Sequence, residues 1–330
     1  MLKEYEQLEL STQIIINEAL KRDVEVEVLD WDENFIRLKK GDKFEYIKQA
    51  TKTSLDNYVV PLIMENKELT KLILREHAIN VPDSVTVKNL DDALKIYSVF
   101  ENKDIVIKPK SANFGEGVLI IKNLNSKEVY INAIKEAFNY SKQVLIEDYV
   151  AGEEYRFLVV TDEVLAVMYR VPANVKGDGI HNIQELVDEK NQDLRRGKGY
   201  LTPLEKIDIG PIERHNLNIQ NMDVNHVPKQ GEVVYLRENS NLSTGGDSID
   251  FTDEVHEGYK EIAVKSAEAV EAKICGVDII IPDVKAKPDK NNHSIIELNF
   301  NPVIYPHNFP YIGQNRHVER KILDLLKFQR

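Results

Sequence analysis

Two lysines bracket a proline at Lys108-Pro109-Lys110, where the apolar run 105–107 ends and a small-residue loop, 111–117, begins. A point charge carried on a strand beside a loop containing Gly115 and Gly117 is a device for holding phosphates. The glycines lack a Cβ, so backbone N–H groups can approach the anion closely. Taken alone, the same residues also read as an exposed hairpin with solvated lysines. A second constellation lies near the far end of the chain. Residues 297–301 alternate in polarity, so on a strand Glu297, Asn299 and Asn301 share one face. Asp278 interrupts 277–281, a run that otherwise reads as buried strand. A buried carboxylate is costly and requires a counter-charge or a metal. Two carboxylates and an amide oxygen on neighbouring strands form a hard-oxygen set suited to Mg²⁺ carrying a nucleotide's phosphates. The other reading is the polar outer face of an edge strand. Lysine loop and oxygen cluster together describe a nucleotide site.

Other chemistries are excluded by pattern and charge. No G-x-x-x-x-G-K-[ST] loop occurs, and the glycine loop follows its lysine, the reverse of the order in protein kinases. A net charge of −12 argues against a nucleic-acid partner, which needs a basic face. With one cysteine, Cys275, the chain has neither an internal disulfide nor a cysteine zinc cluster, and the residue reads as a buried structural thiol. No apolar run reaches membrane-spanning length and the acidic N-terminus has no signal core, so a cytoplasmic protein without a membrane partner is expected.

These residues need a scaffold larger than one core. At 330 residues, with 42% hydrophobic and 30% charged side chains, the chain is globular and long enough for several units. The expected division is 1–64, a small N-terminal α/β unit; 65–150, an α+β module with antiparallel strands; and 151–330, the unit that carries the oxygen cluster. Patterning predicts helices at 11–22, 65–77, 90–100, 183–190 and 317–327, and one from Ser126 whose buried stripe is Tyr130, Ala133, Ile134, Ala137 and Phe138. Strands are expected at 24–29, 35–38, 44–47, 144–146, 155–160, 164–169, 277–281 and 294–300. The polar stretch 172–230 is too long for an ordinary connection and reads as a functional insertion.

The segments QATKTSLDNYVVPLIMENKELTK, YRVPANVKGDGIHNIQELV, VYLRENSNLSTGGDSIDFTDE and CGVDIIIPD…IIELNFNPVIYPH resemble the ATP-grasp superfamily of carboxylate–amine ligases. Within it they are most similar to the C-terminal glutathione synthetase half of bacterial bifunctional γ-glutamate–cysteine ligase/glutathione synthetases, and more distantly to cyanophycin synthetase. The likeness runs from about Glu6 to the last helix; the family's large N-terminal ligase half has no counterpart in the chain. It implies an α/β (α+β) ATP-grasp fold, with two subdomains clasping ATP, 65–150 as the lid and 151–330 as the catalytic and metal-binding body, and 1–64 as a small pre-grasp unit in front. It also implies a reaction. ATP phosphorylates a carboxylate to an acyl phosphate, and an amine displaces phosphate; in the glutathione branch these are γ-glutamylcysteine and glycine.

The implied cofactors are ATP and Mg²⁺, with Mn²⁺ as a substitute and two ions per site. Residue roles follow the motifs. Lys108 and Lys67 would hold phosphates, with Ser111, Gly115 and Gly117 in the lid loop over them. Glu147 and Tyr149 fall at the adenine side and Glu154 at the ribose; either acid also reads as an ordinary surface residue. Asp278, Glu297 and Asn299 match the metal ligands. Arg170 and Arg237 match the arginines that stabilise the transferring phosphoryl group and the substrate carboxylate, and Asn241 with Gly245-Gly246 would offer amide donors to the acyl group. Lys110, Arg195, Arg196, His181, His307 and Trp31 read as solvated or packing residues. The partners implied are small-molecule acid and amine substrates, a second copy of the chain, and a separate γ-glutamate–cysteine ligase domain. Two other readings stay open: a ligase for a different acid–amine pair, and a non-catalytic nucleotide-binding partner of such a ligase.

Overall fold

A computed structural model describes residues 2–110 and 117–329. Ser111 and Gly115, and with them most of the expected lid loop, lie outside the described residues.

Helix α1 (Leu10–Lys21) precedes an antiparallel meander of β1 (Glu25–Asp30), β2 (Phe35–Lys40) and β3 (Lys43–Lys48). The β2–β3 turn needs Gly41, which has φ +63°. Three strands and a helix bury too little surface to stand alone. Ile36, Leu38 and Ile47 accordingly share one core with Leu158, Val160, Ile322 and Leu323 from the far half of the chain. Buried Arg22 fastens the same seam, donating to Asp324 Oδ1 at 2.6 Å and to the Phe328 carbonyl at 2.9 Å.

The helix expected at 65–77 is α3 (Lys67–Glu76), and a further helix not expected from the sequence, α2 (Val59–Glu65), precedes it. Asn66 separates them because its side chain accepts the Leu69 N–H and caps α3. Val60, Met64 and Leu74 of this pair lie in the core of the C-terminal sheet, among Phe157, Val277 and Leu298.

The lid begins with β4 (Ser84–Val87), α4 (Leu90–Lys95) and α5 (Tyr97–Phe100), the expected 90–100 helix being interrupted at Ile96. β5 (Ile105–Pro109), β6 (Leu119–Ile121), α6 (Lys127–Phe138) and β7 (Val144–Asp148) complete an antiparallel sheet of order β4-β7-β5-β6. Ser126 caps α6, whose Tyr130, Ala133, Ile134 and Ala137 pack on Ile105, Ile107, Val144 and Ile146.

The body opens with the hairpin β8 (Glu153–Val160) and β9 (Glu163–Val171). The stretch after it contains β10 (Asn174–Lys176), α7 (Ile183–Lys190), β11 (Arg196–Gly197), β12 (Leu204–Glu205), α8 (Pro211–Ile219) and β13 (Val233–Tyr235). It has a core of its own around Val175, Ile183, Leu217 and Leu236, so it is a folded satellite. α8 has a start that polarity alone conceals: Pro211 stands at its first turn, and Glu213 reaches back to the Gly210 N–H at 2.9 Å. Next come β14 (Asp247–Asp250), α9 (Glu257–Ala269), β15 (Ile274–Ile281), β16 (Ser294–Asn299), α10 (Tyr305–Asn308) and α11 (Val318–Leu325). The body sheet has the order β14-β9-β8-β15-β16, which puts β15, the strand of Asp278, between β8 and β16.

Candidate functional site

Antiparallel register on both flanks of β15 builds the centre of the site. Asp278 stands opposite Glu297 on one side and Arg156 on the other, and Gly276 stands opposite Asn299. Asp278 is 1% exposed. Its Oδ1 accepts from Arg156 Nε; its Oδ2 accepts from Arg156 Nη2 at 2.8 Å, Arg170 Nη2 at 3.1 Å and Asn299 Nδ2 at 3.3 Å. Burial opposes ionisation here, but the charges of Arg156 and Arg170 and these hydrogen bonds hold the carboxyl below the ordinary carboxylate range. The counter-charge that a buried Asp278 requires is therefore protein-borne. Arg156 was not singled out in the sequence; the one signal for it is a cation at an inner position of an apolar strand.

Arg170 extends the network, pairing also with Glu154, whose other oxygen accepts the Ser240 hydroxyl. On the opposite flank Lys67 Nζ lies 3.4 Å from Glu297 Oε1. Arg170, Glu154, Asp278 and Asn299 thus form one connected polar set, with Glu297 and Lys67 directly across the β15–β16 pairing. The lid contributes a second set. Lys108 Nζ is 2.7 Å from Glu147 Oε2, and Lys71 Nζ binds Oε1 of the same buried carboxylate. Lys110, read as solvated, is paired with Glu68, which also accepts the Thr86 hydroxyl. α3 joins the two sets: Lys67 and Lys71, four residues apart on one helical face, reach the body and the lid respectively. At the lid's edge Tyr149 donates its N–H to the Asp104 carbonyl at 2.9 Å and lies with its ring under Lys122. Gly117 ends the lid loop at φ +67°, and a Cβ there would come within 2.7 Å of Tyr140.

The satellite meets the site through the Gly245-Gly246 turn. Gly245 has φ +92°, and a Cβ on Gly246 would lie 2.8 Å from the Val171 carbonyl, next to Arg170. The Asn241 carbonyl accepts the Thr244 hydroxyl at 2.9 Å within the same turn. Arg237 is paired with buried Glu213 of α8. Arg196, expected as a solvated loop residue, is 4% exposed. It donates to the carbonyls of Glu205 at 2.7 Å and Gly245 at 3.2 Å, and to Asp247. Asp247 also holds Lys190 Nζ at 2.6 Å. Arg195 remains at the surface, paired with Asp193 and lying over Tyr311.

The remaining residues singled out are structural. His181 is exposed beside Asp178, and Trp31 stacks on Tyr5. Burial lowers the His307 imidazole to about 3 and pushes the Cys275 thiol up to about 12. Among the described residues no cluster of three or more His, Cys, Asp or Glu side chains is placed to hold a metal. The hard oxygens near one another are instead those of Glu297, the Asn299 amide and Asp278, the last held by Arg156, Arg170 and Asn299, and by type they fit Mg²⁺ or Mn²⁺.

Comparison with known proteins bears on this arrangement. Residues 6–59 match an ATP-grasp-like domain, and residues 65–176 match the phosphoribosylglycinamide synthetase ATP-grasp (A) domain. The glutathione biosynthesis bifunctional protein of Clostridium perfringens is 55% identical over 98% of this chain and 41% of its own length. Its counterpart in Listeria monocytogenes is 53% identical over 97% of this chain and 42% of its own. The crystal structure of a bifunctional glutathione synthetase from Pasteurella multocida superposes with a TM-score of 0.78 at 44% identity, covering 99% of this chain and 45% of that one. The chain therefore spans less than half the length of these relatives.

Proposed function

We propose, on the premise that this chain is built of ATP-grasp domains and has the ATP-grasp fold, that it is an ATP-dependent carboxylate–amine ligase of glutathione synthetase type. The observation that carries the reading is the facing pair Asp278 and Glu297, with Asn299 beside them and Arg170 and Lys67 wired to either flank. Similarity to proteins named for bifunctional glutathione biosynthesis supports γ-glutamylcysteine as the acid and glycine as the amine.

In this reading Lys108 and Lys67 bind the triphosphate, with the loop containing Ser111, Gly115 and Gly117 closing over it. The backbone at Glu147 and Tyr149 meets the adenine, and Glu154 the ribose. Glu297, Asn299 and Asp278 would hold divalent cations, two per site, which would supply positive charge to the phosphates. The substrate carboxylate attacks the γ-phosphorus, and the P–O bond to ADP breaks. The amine then attacks the acyl carbon, the C–O bond to phosphate breaks, and a proton is lost to solvent. Little covalent chemistry falls to the protein; positioning and positive charge do the work. Arg170, beside the oxygen cluster, meets the charge developing on the phosphoryl group, Arg237 the substrate carboxylate, and Asn241 with the Gly245-Gly246 turn the acyl oxygen. The lid excludes water from the acyl phosphate. The relatives' bifunctional names support action beside a γ-glutamate–cysteine ligase unit. Among the described residues no helix is long and apolar enough to cross a membrane, and the cytoplasm is the proposed compartment.

The test is phosphate release and product mass with purified protein, ATP and Mg²⁺ across a panel of acids and amines. Release that requires both γ-glutamylcysteine and glycine, yields glutathione by mass, and stops on chelation of Mg²⁺ is the expected result. Turnover only with another pair would reassign the substrates; ATP binding without turnover on any pair would leave a nucleotide-binding partner of the ligase.

A further inference from the structure

We propose that Lys71 is a positioning residue for the nucleotide: as the standing counter-ion of Glu147, it frees Lys108 to leave that carboxylate for a phosphate. The inference rests on the reading of Lys108 as a phosphate ligand. Glu147 is buried on β7, and each of its oxygens holds one lysine, Lys71 on Oε1 and Lys108 on Oε2. The two lysines come from different bodies. Lys71 stands on α3, whose Leu74 lies in the body core, whereas Lys108 stands on β5, the lid strand paired with β7.

A buried carboxylate stripped of its partner is unstable, and the lysine it holds is not available to another anion. If Lys108 were the only partner of Glu147, moving its ammonium to a phosphate would strand that charge, and Glu147 would compete with the nucleotide. With Lys71 in place, Glu147 keeps a full counter-charge when Lys108 departs. Exposure fits this division: the Lys71 side chain is 3% exposed and that of Lys108 is 14%.

Glu147 stays ionised. Burial opposes its charge, but Lys108 and Lys71 hold its carboxyl below the usual range. Burial, with Lys108 and Arg75 adding to it, lowers Lys71 to about 8 against the pull of Glu147. The Lys71 ammonium has Glu147 as its hydrogen-bonded partner, while the neighbouring carboxylate, Glu68, is taken by Lys110. One turn earlier on the same helix, Lys67 meets Glu297, so α3 sets the lid's phosphate lysine and the body's oxygen cluster from one rigid element.

The test is equilibrium binding of Mg-ATP to the full chain, with folding followed by thermal melting. Lys71→Met should bind about tenfold more weakly or worse, and Lys71→Arg should stay within about threefold of the wild type. The Lys71→Met/Glu147→Gln double variant should recover most of the loss, because a neutral amide neither needs a counter-ion nor retains Lys108. A purely structural Lys71 would instead make the double variant as weak as the single one or weaker. Lys71→Met binding like the wild type, or a double variant no better than Lys71→Met, overturns the proposal. If Lys71→Met does not fold, the charge-balanced double variant decides alone: tight binding supports the inference and weak binding ends it. Wild-type protein that binds no nucleotide overturns the ligase reading and this inference with it, a result distinct from failure of the variants alone.

Discussion

Asp278 and Glu297 face each other in register across β15 and β16, yet they live in different media. The Asp278 side chain is 1% exposed and bound by two arginines, while that of Glu297 is 36% exposed and touches Lys67 at 3.4 Å. The pair should therefore separate stability from turnover. Asp278→Asn leaves Arg156 without its ion-pair partner in the interior and Arg170 with Glu154 alone, and loss of one partner of a buried pair costs about 3–5 kcal/mol. Glu297→Gln gives up a half-exposed ion pair worth under about 1 kcal/mol, but it removes a carboxylate from the proposed metal set. Thermal melts and steady-state kinetics of the two variants check this. Asp278→Asn should melt well below the wild type, whereas Glu297→Gln should melt with the wild type and lose turnover by about a hundredfold or more.

The two strands that carry this pair were legible because alternation is a local property: 297–301 declares its faces without reference to anything else. Asp278 was legible as an anomaly, a charge in an apolar run. Its partner Arg156 was not, because it lies 122 residues away and only the pairing of β8 with β15 brings it there. Lys71 stands four residues from Lys67, but its reason for being buried is Glu147, 76 residues on. The helix break at Ile96 is a single-residue event that periodicity averages over. The 172–230 stretch looks polar because its core positions, such as Val175, Ile183 and Leu217, are far apart in the chain and converge only in three dimensions.

Arg196 follows from that convergence. Its guanidinium ties β11 to the Glu205 and Gly245 carbonyls and to Asp247, all in the interior. Arg196→Met should cost about 3–5 kcal/mol by unpairing these groups. The loss should be regional. Amide hydrogen exchange should accelerate in 196–205 and at the Gly245-Gly246 turn while the lid strands keep their protection. Uniform acceleration through β5 and β7 would mean that the satellite is not a separable unit.

Cys275 sits inside β15 with its thiol pushed up to about 12, chiefly by burial. Thiolate, the reactive form, is then scarce at neutral pH, and access is closed as well. Native protein should react with an aromatic disulfide reagent at least about a hundredfold more slowly than protein in denaturant. Cys275→Ser should remain active. Rapid labelling of the native chain would show that β15 opens on the time scale of the assay.

His307 supplies a pH dependence whose sign is fixed by its surroundings. The ring is 3% exposed, and burial, with Arg156 adding to it, lowers the imidazole from its ordinary value to about 3. Between about pH 6.5 and 3 the unfolded chain binds a proton at this position that the folded chain does not. Stability from this group is thus complete above pH 6.5 and is lost as pH falls, with a slope of up to about 1.4 kcal/mol per unit. Denaturant unfolding at pH 7.0, 6.0 and 5.0 measures it. The wild type should lose stability over this range by more than a His307→Gln variant does, and the difference between the two should widen with each step towards acid. Parallel losses in the two proteins would mean that the ring gains a proton in the folded state as readily as in the unfolded one.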